Sequence, residues 1–448
     1  MSTKNATANR YNFLIVFLVT FGSLTYGYNS AIIGAVLGLS SFFKYFGIDL
    51  YGPNAAESSR ITGTTNGVFA AGGLLGCILM TWLGDAYGRK VAIQVTSVLC
   101  VIAGIVQAAS VHIAMFLVGR FLMGVGVGMV NAITPLYQSE ISPAHLRGRM
   151  VGTHGFILCV GYALAGWTGF GCFYLSSPDA QWRLCLALQV VPPVCLLIGS
   201  LWLPESPRYL MAKDRFEEGI QVLRDLHRVP GEEDDFLARE EFYQIRQQLE
   251  LERREGWRQG WLKGWILLFQ RKSCRKRLLF GFLTLTLVQS TGCLVINNYQ
   301  VLLYNGLGLY GSLPLLLYAV WDIVTFFAGS MDATSYVFAS ELFPTSIRTQ
   351  GAGFSISALF CMSLIYTMCA PVAFTTIGWK YYLIFIIIPL FGAAIMYFFY
   401  PETKGLTLEE IGKEFGDVVA IDLSAMNEDE RRQLNKRLVE DEFEKEAA

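Results

Sequence analysis

The residues of this chain that could do chemistry are few, and most are charges placed where an apolar run ends. Ser139-Glu140 closes one such run in SEISPAHLR, and Ser340-Glu341 closes another in SELFPTSIR about two hundred residues later. In each, a Pro follows three residues after the Glu, and an Arg, Arg147 or Arg348, four residues after the Pro. Proline ends a helix, and carboxylates and guanidinium groups are costly in hydrocarbon, so each copy marks a helix leaving a membrane. The repeat itself points to an internal duplication. Asp85 and Arg89, in GDAYGRK, lie at another such exit. The chemistry these six offer is ion pairing that forms when one end of a helical bundle closes and breaks when it opens, unless they serve only to fix topology. Arg120 differs, because it sits inside an apolar run, where a charge needs a partner and marks a functional site. Asp322 and Asp332 share one apolar run and His154 lies in another, and these could exchange a proton. A lone histidine in such a run is more often packed or hydrogen-bonded than a base. No nucleophile elbow, phosphate loop or metal-ligand cluster is present, so no enzyme reading, metal or cofactor is expected.

The elements that must position these residues are membrane helices. With 53% hydrophobic and 16% charged residues, 44 Gly and a mean hydropathy of +0.42, the chain has too little polar surface for a soluble globule of 448 residues. The net charge of −1 gives no attraction to nucleic acid. The ten Cys lie mostly in apolar runs without paired spacing and read as packing residues. Runs of about 20 apolar residues place spans at Asn12 to Gly34, Ile61 to Leu83, Val91 to Val111, Ile113 to Tyr137, Val151 to Leu175 and Leu184 to Leu203. Four more follow at Leu278 to Tyr304, Leu313 to Phe338, Phe354 to Phe374 and Tyr381 to Tyr400. The expected division is a cytoplasmic N-terminus (1–11), a six-helix lobe (12–203), a cytoplasmic helical linker (204–277), a four-helix lobe (278–400) and a cytoplasmic tail (401–448). Arg89, Lys90, Arg147, Arg149, the linker and Arg348 fall on one side, which the excess of positive charge assigns to the cytoplasm. In the linker, FEEGIQVLRDLHRV and FLAREEFYQIRQQLELERREGW read as amphipathic helices, either a solvated linker or a lid beneath the bundle. RKSCRKR, Arg271 to Arg277, reads as a topology stop or a contact for anionic lipid.

GDAYGRK, GRFLMGVGVG (Gly119 to Gly128), PLYQSEISPAHLRGR (Pro135 to Arg149), PESPRYL (Pro204 to Leu210), SELFPTSIR and PETKG (Pro401 to Gly405) together resemble the signature set of the sugar-porter family of the major facilitator superfamily, in its fungal style. The resemblance implies an all-α polytopic membrane protein. Its two-lobed bundle would hold a central site for a small solute, a sugar or polyol, reached alternately from either side by rocking of the lobes. It makes Glu140 the expected neighbour of Arg120, and plasma membrane the expected location, with a monomer by default. It also brings two departures into view. YGYN (Tyr26 to Asn29) carries Asn29 where proton-coupled members resembling it carry Asp, so coupling there is lost and passive uniport becomes credible beside proton symport. In VQSTGCLVINNY (Val288 to Tyr299), Gln289, Thr291, Gly292 and Tyr299 match the substrate-site pattern, whereas Val288, Leu294 and Asn298 do not. Tyr162 stands where a Gln is usual. Asn29, Asn297, Asn298, Tyr162 and Tyr336 could then line a different polar cleft with Gln289 and Tyr299, or act as packing glue.

The family has twelve spans; here about ten are expected. LLLYAVWD (Leu315 to Asp322), which resembles the start of the family's eighth helix, runs directly into IVTFFAGSMDATSYVFASE (Ile323 to Glu341), which resembles the end of its tenth. About two helices with their loops are missing between them. The fused run Leu313 to Phe338 would be about 39 Å long as one helix, enough to cross, and keeps downstream orientation. A transporter of a small polar solute is the leading expectation. A membrane sensor that binds without moving its ligand, and an inactive shortened product, are the alternatives.

Overall fold

The computed structural model describes residues 10–403 except 49–54, 144–145, 229–234, 258–260 and 329. In the tail it describes residues 406, 408, 410–420, 426, 430 and 433; side chains 55–59, 325–333 and 375 are also outside the description. Among the described residues the structure is helical throughout, with no strand.

The first lobe comprises α1 (Arg10–Gly38), the short α2 (Ser40–Tyr45), α3 (Ala55–Tyr87), α4 (Arg89–Ala108), α5 (Ile113–Ile141), α6 (Arg147–Phe173), α7 (Pro178–Leu188) and α8 (Val191–Gly199). The linker folds into α9 (Pro207–Ala212), α10 (Phe216–His227), α11 (Phe236–Arg254) and α12 (Trp261–Gln270). The second lobe comprises α13 (Lys272–Gln289), α14 (Cys293–Gly306), α15 (Leu313–Ala328), α16 (Ser330–Glu341), α17 (Arg348–Thr376) and α18 (Ile384–Phe399), and the tail adds α19 (Glu410–Glu414). Nine stretches of the described residues are long and apolar enough to cross a bilayer. A tenth crossing is built from the shorter apolar Leu313–Val324 and the helix that resumes at Ser330. The architecture is thus a two-lobed membrane bundle of about ten crossings.

Two crossings that read as continuous apolar runs are broken. The span before the linker divides into α7 and α8. The first span of the second lobe breaks at Ser290–Gly292, where Gly292 takes φ +77° and initiates α14. A Cβ on Gly292 would lie 2.6 Å from the Phe385 ring, so both the backbone conformation and the space call for glycine there. The break leaves Gln289, Ser290 and Thr291 at mid-span, with the Ser290 hydroxyl 2.9 Å from that of Tyr366.

The lobes meet along α1 with α14, α3 with α17, and α6 with α15 and α16. The linker is packed against the bundle. Leu223 and Leu226 of α10 are buried, and Asn12 of α1 donates to the Leu226 carbonyl at 2.7 Å. α12 lies across the seam between the lobes: Trp261 Nε1 donates to Thr81 Oγ1 of α3 at 2.7 Å, and Trp265 and Phe269 meet the Phe354 ring of α17. This is the lid arrangement rather than a solvated tether.

Candidate functional site

The helix ends on the linker side converge on Glu140. Its carboxylate accepts two hydrogen bonds from Arg89, Nε and Nη2 each at 2.9 Å, and Arg348 Nη1 of the other lobe approaches to 3.9 Å. All three side chains are almost wholly buried, the arrangement in which a fork-shaped guanidinium gives strong bidentate pairing. Arg348 is steadied by the Phe343 carbonyl (Nε, 3.0 Å), and its counterpart Arg147 by the Ser139 carbonyl (Nε, 3.2 Å). Glu341 is buried beside Arg147 and Arg348. The two copies of the repeated element therefore cross: each Glu faces the Arg of the opposite copy. They are not equivalent, since Glu140 is also held by two hydrogen bonds from Arg89, a residue of the first-lobe motif that has no match in the second.

Asp85 is bound across the seam by neutral groups, accepting from Thr349 Oγ1 at 2.7 Å and from the Gln350 amide. One functional residue escaped the sequence reading. Glu205, in PESPRYL, accepts the backbone N–H groups of Arg89 (2.8 Å), Lys90 (3.2 Å) and Ser206 (2.8 Å). It thereby caps the N-terminus of α4 from 116 residues away, which complements the positive end of that helix. The residue in the local cap position is Gly88, at φ +92°, which has no side chain to offer. Burial pushes the Glu205 carboxyl up from its ordinary value, opposed by those amides and by Arg89. The signal that could have exposed it was an acidic residue in a motif beside a helix start with no cap of its own. Nearby, Glu241 of α11 ties the linker helices together, through His227 Nε2 of α10 at 2.7 Å and Arg208 of α9 at 3.8 Å. Burial would raise the Glu241 carboxyl, but His227, Arg208 and Arg147 outweigh it and hold it at about 2.

Deeper in the bundle the expected polar cleft is distributed over several small networks. Asn297 Nδ2 donates to Asp322 Oδ1 at 2.7 Å, and the Tyr318 hydroxyl lies between Asn297 Oδ1 (3.1 Å) and the Ala31 carbonyl of α1 (2.8 Å), joining the lobes. Toward the linker side, Ser23, His154 (2.8 Å), Asn131 (3.2 Å) and Tyr336 (3.1 Å) form a second chain across the seam, with the His154 and Tyr336 rings 4.5 Å apart. Other candidates turn to backbone: Asn29 to Thr25, Asn298 to Leu294 and Tyr299 to Thr367. Tyr162 and Gln289 are buried. Asp332 lies among the residues whose side chains are outside the description.

Arg120 requires a correction. Its expected neighbour, Glu140, is engaged by Arg89 and Arg348, and the two lie twenty residues apart on α5, about 30 Å along a helix. Arg120 instead donates to the Asn29 carbonyl at 3.4 Å and stacks on Phe69 at 4.2 Å, with no acidic partner among the described residues.

A two-lobed helical bundle, closed across one end by a buried ionic knot and threaded by polar side chains at the lobe seam, defines a membrane transporter fold. The family profile described as "Sugar (and other) transporter" matches residues 15–331 and again 314–415, and the chain belongs to that family. Among its relatives, "MFS-type transporter criB" of Aspergillus cristatus is 31% identical over 92% of this chain and 95% of its own length. The "High-affinity glucose transporter" of Kluyveromyces lactis is 25% identical over 91% and 86%. The first alignment runs to 471 positions against the 448 residues of this chain, so the relative carries residues that this chain lacks. Among solved structures, the proton:xylose symporter XylE bound to 6-bromo-6-deoxy-D-glucose shares the fold with a TM-score of 0.76 at 21% identity, covering 90% of this chain and 99% of that one. The inward-open form of XylE from E. coli scores 0.64 at 19% identity, covering 90% and 100%.

Proposed function

We propose that this protein carries a carbohydrate or related polyol across the membrane by alternating access, with the linker side facing the cytoplasm. The observation that carries the reading is the sharing of Glu140 between Arg89 of its own lobe and Arg348 of the other. A purely topological set of charges would lie apart in water, whereas this one is buried at the lobe seam, where rocking must break it. Relatives named as glucose and hexose transporters support the solute class. Asn29 in place of an acid favours uniport over proton symport, because an amide does not titrate near neutral pH. Asp85, Arg147 and Glu341 complete the gate. Asn297, Tyr336 and Gln289 are the polar groups best placed to meet solute hydroxyls once the lobes part, with Tyr162, Asn298 and Tyr299 behind them. A monomer in the plasma membrane with both termini in the cytoplasm completes the assignment.

The test is uptake of radiolabelled glucose in a yeast host lacking hexose transporters, with surface expression measured in parallel. Saturable uptake, competed by unlabelled sugar, is expected. If surface-expressed protein moves no hexose, pentose or polyol above the host background, the proposal fails.

A further inference from the structure

We propose that α12 and the cations around it form a seat for anionic phospholipid on the linker-side leaflet. α12 packs one face on the bundle, through Gly264, Leu268 and Trp265, while Leu262 and Ile266 project outward at 67% and 52% exposure and Phe269, which touches Phe354 with one edge, leaves 52% of its surface outward. Their spacing, i, i+4 and i+7, gives a continuous apolar stripe on one side of a helix. The position of this stripe follows from its neighbours. Trp261 is bonded to Thr81, one residue before the outward Trp82 near the end of α3, where Trp82 and Tyr87 pair as aromatic side chains do at a membrane surface. One residue separates α12 from α13, which then enters the bilayer. An amphipathic helix at that level lies in the interface with its apolar face among acyl chains.

Charge selects the lipid. Lys263, Lys272 and Arg275 are exposed beside the stripe, while Arg271 is occupied by Glu255 at 3.1 Å and Lys276, also exposed, lies over the Phe280 and Phe415 rings. Three exposed cations flanking an apolar stripe complement a negatively charged headgroup whose acyl chains cover Ile266 and Phe269. Each contributes at the scale by which juxtamembrane basic residues attract anionic lipid. Soluble protein partners would leave the stripe's membrane-level position unused, and a second copy would place these cations against one another.

The inference depends on the membrane fold and not on transport, so it stands or falls separately from the proposed function. The full chain is reconstituted in phosphatidylcholine vesicles containing trace spin-labelled phosphatidylserine or spin-labelled phosphatidylcholine, and the motionally restricted fraction of each is measured. Phosphatidylserine retention about threefold or more above phosphatidylcholine is expected, weakening with added salt. The surface variant K263Q/K272Q/R275Q should bring the two to equality. A selectivity that survives this triple variant overturns the proposal. So does a photoreactive residue at position 266 that captures a second copy of the chain rather than lipid.

Discussion

Glu140 is one carboxylate facing two guanidinium groups, so removing its charge leaves Arg89 and Arg348 buried against each other. Losing one member of a buried ion pair costs about 3–5 kcal/mol. Glu140→Gln is therefore expected to lower the thermal midpoint in detergent and to raise labelling of a cysteine reporter at the linker-side mouth, since the closed state loses its knot. Arg348→Gln should do less to stability, because Glu140 keeps its bidentate partner in Arg89, while still opening the mouth. Arg120 tests another part of the cycle. With a carbonyl and a phenyl ring for company, its charge is held by α1 and α3, and Arg120→Ala is expected to lower saturable uptake per surface molecule without increasing labelling at the linker mouth. At this scale the sequence displayed the charges through their motifs and their cost in hydrocarbon. It could not display Glu205, whose task is to satisfy main-chain amides in a distant segment; the distance between Arg120 and Glu140, by contrast, was legible, since twenty residues of one helical run span about 30 Å.

Among the elements, α13 and α14 depart most from what the apolar pattern suggested. Hydropathy reports what a segment is immersed in and is silent about its torsion angles, so the run Leu278 to Tyr304 read as one helix although it turns at Gly292. Gly292→Ala places a Cβ in a left-handed conformation and against Phe385, and a loss of about 1–3 kcal/mol is expected, read as a lowered melting temperature. The linker offers a test with the opposite sensitivity. Glu241 has its carboxyl held at about 2, below the ordinary carboxylate range, so its contribution to anchoring α11 is fully present above about pH 4.3 and is lost as pH falls toward 2. Glu241→Gln should accordingly speed amide exchange in α10 and α11 at pH 7. The amphipathic spacing of these two helices was legible in the sequence. Their docking was not, because it depends on Asn12 of α1 and on Arg208 of α9, which itself donates to the Thr345 hydroxyl of the second lobe at 3.3 Å.

For the whole molecule, the two-lobed plan was legible because a duplicated element and a set of ordered motifs both spell it. The inequality of the lobes was legible as a fusion within one apolar run, and the family profile matches in two overlapping pieces around that same region. The packing that results was not legible. In the last span, Gly378–Phe399, most of which is α18, only 11% of the most apolar stretch is buried, whereas 44–67% is buried in the other eight long spans. A hydrophobic photolabel dissolved in the bilayer is therefore expected to modify α18, at residues such as Ile386, Leu390 and Phe391, far more heavily than α8. Comparable labelling of the two would mean that α18 is covered by something else in the membrane.

The poor grip on α18 has a consequence for the life of the protein in a cell. A helix held along so little of its girth leaves its bundle sideways, in the plane of the bilayer, without any group having to enter water. Local separation of that kind is the low-free-energy end of a bundle's opening, so α18 is expected to come free first and the lifetime of each copy to follow how tightly that one helix is held.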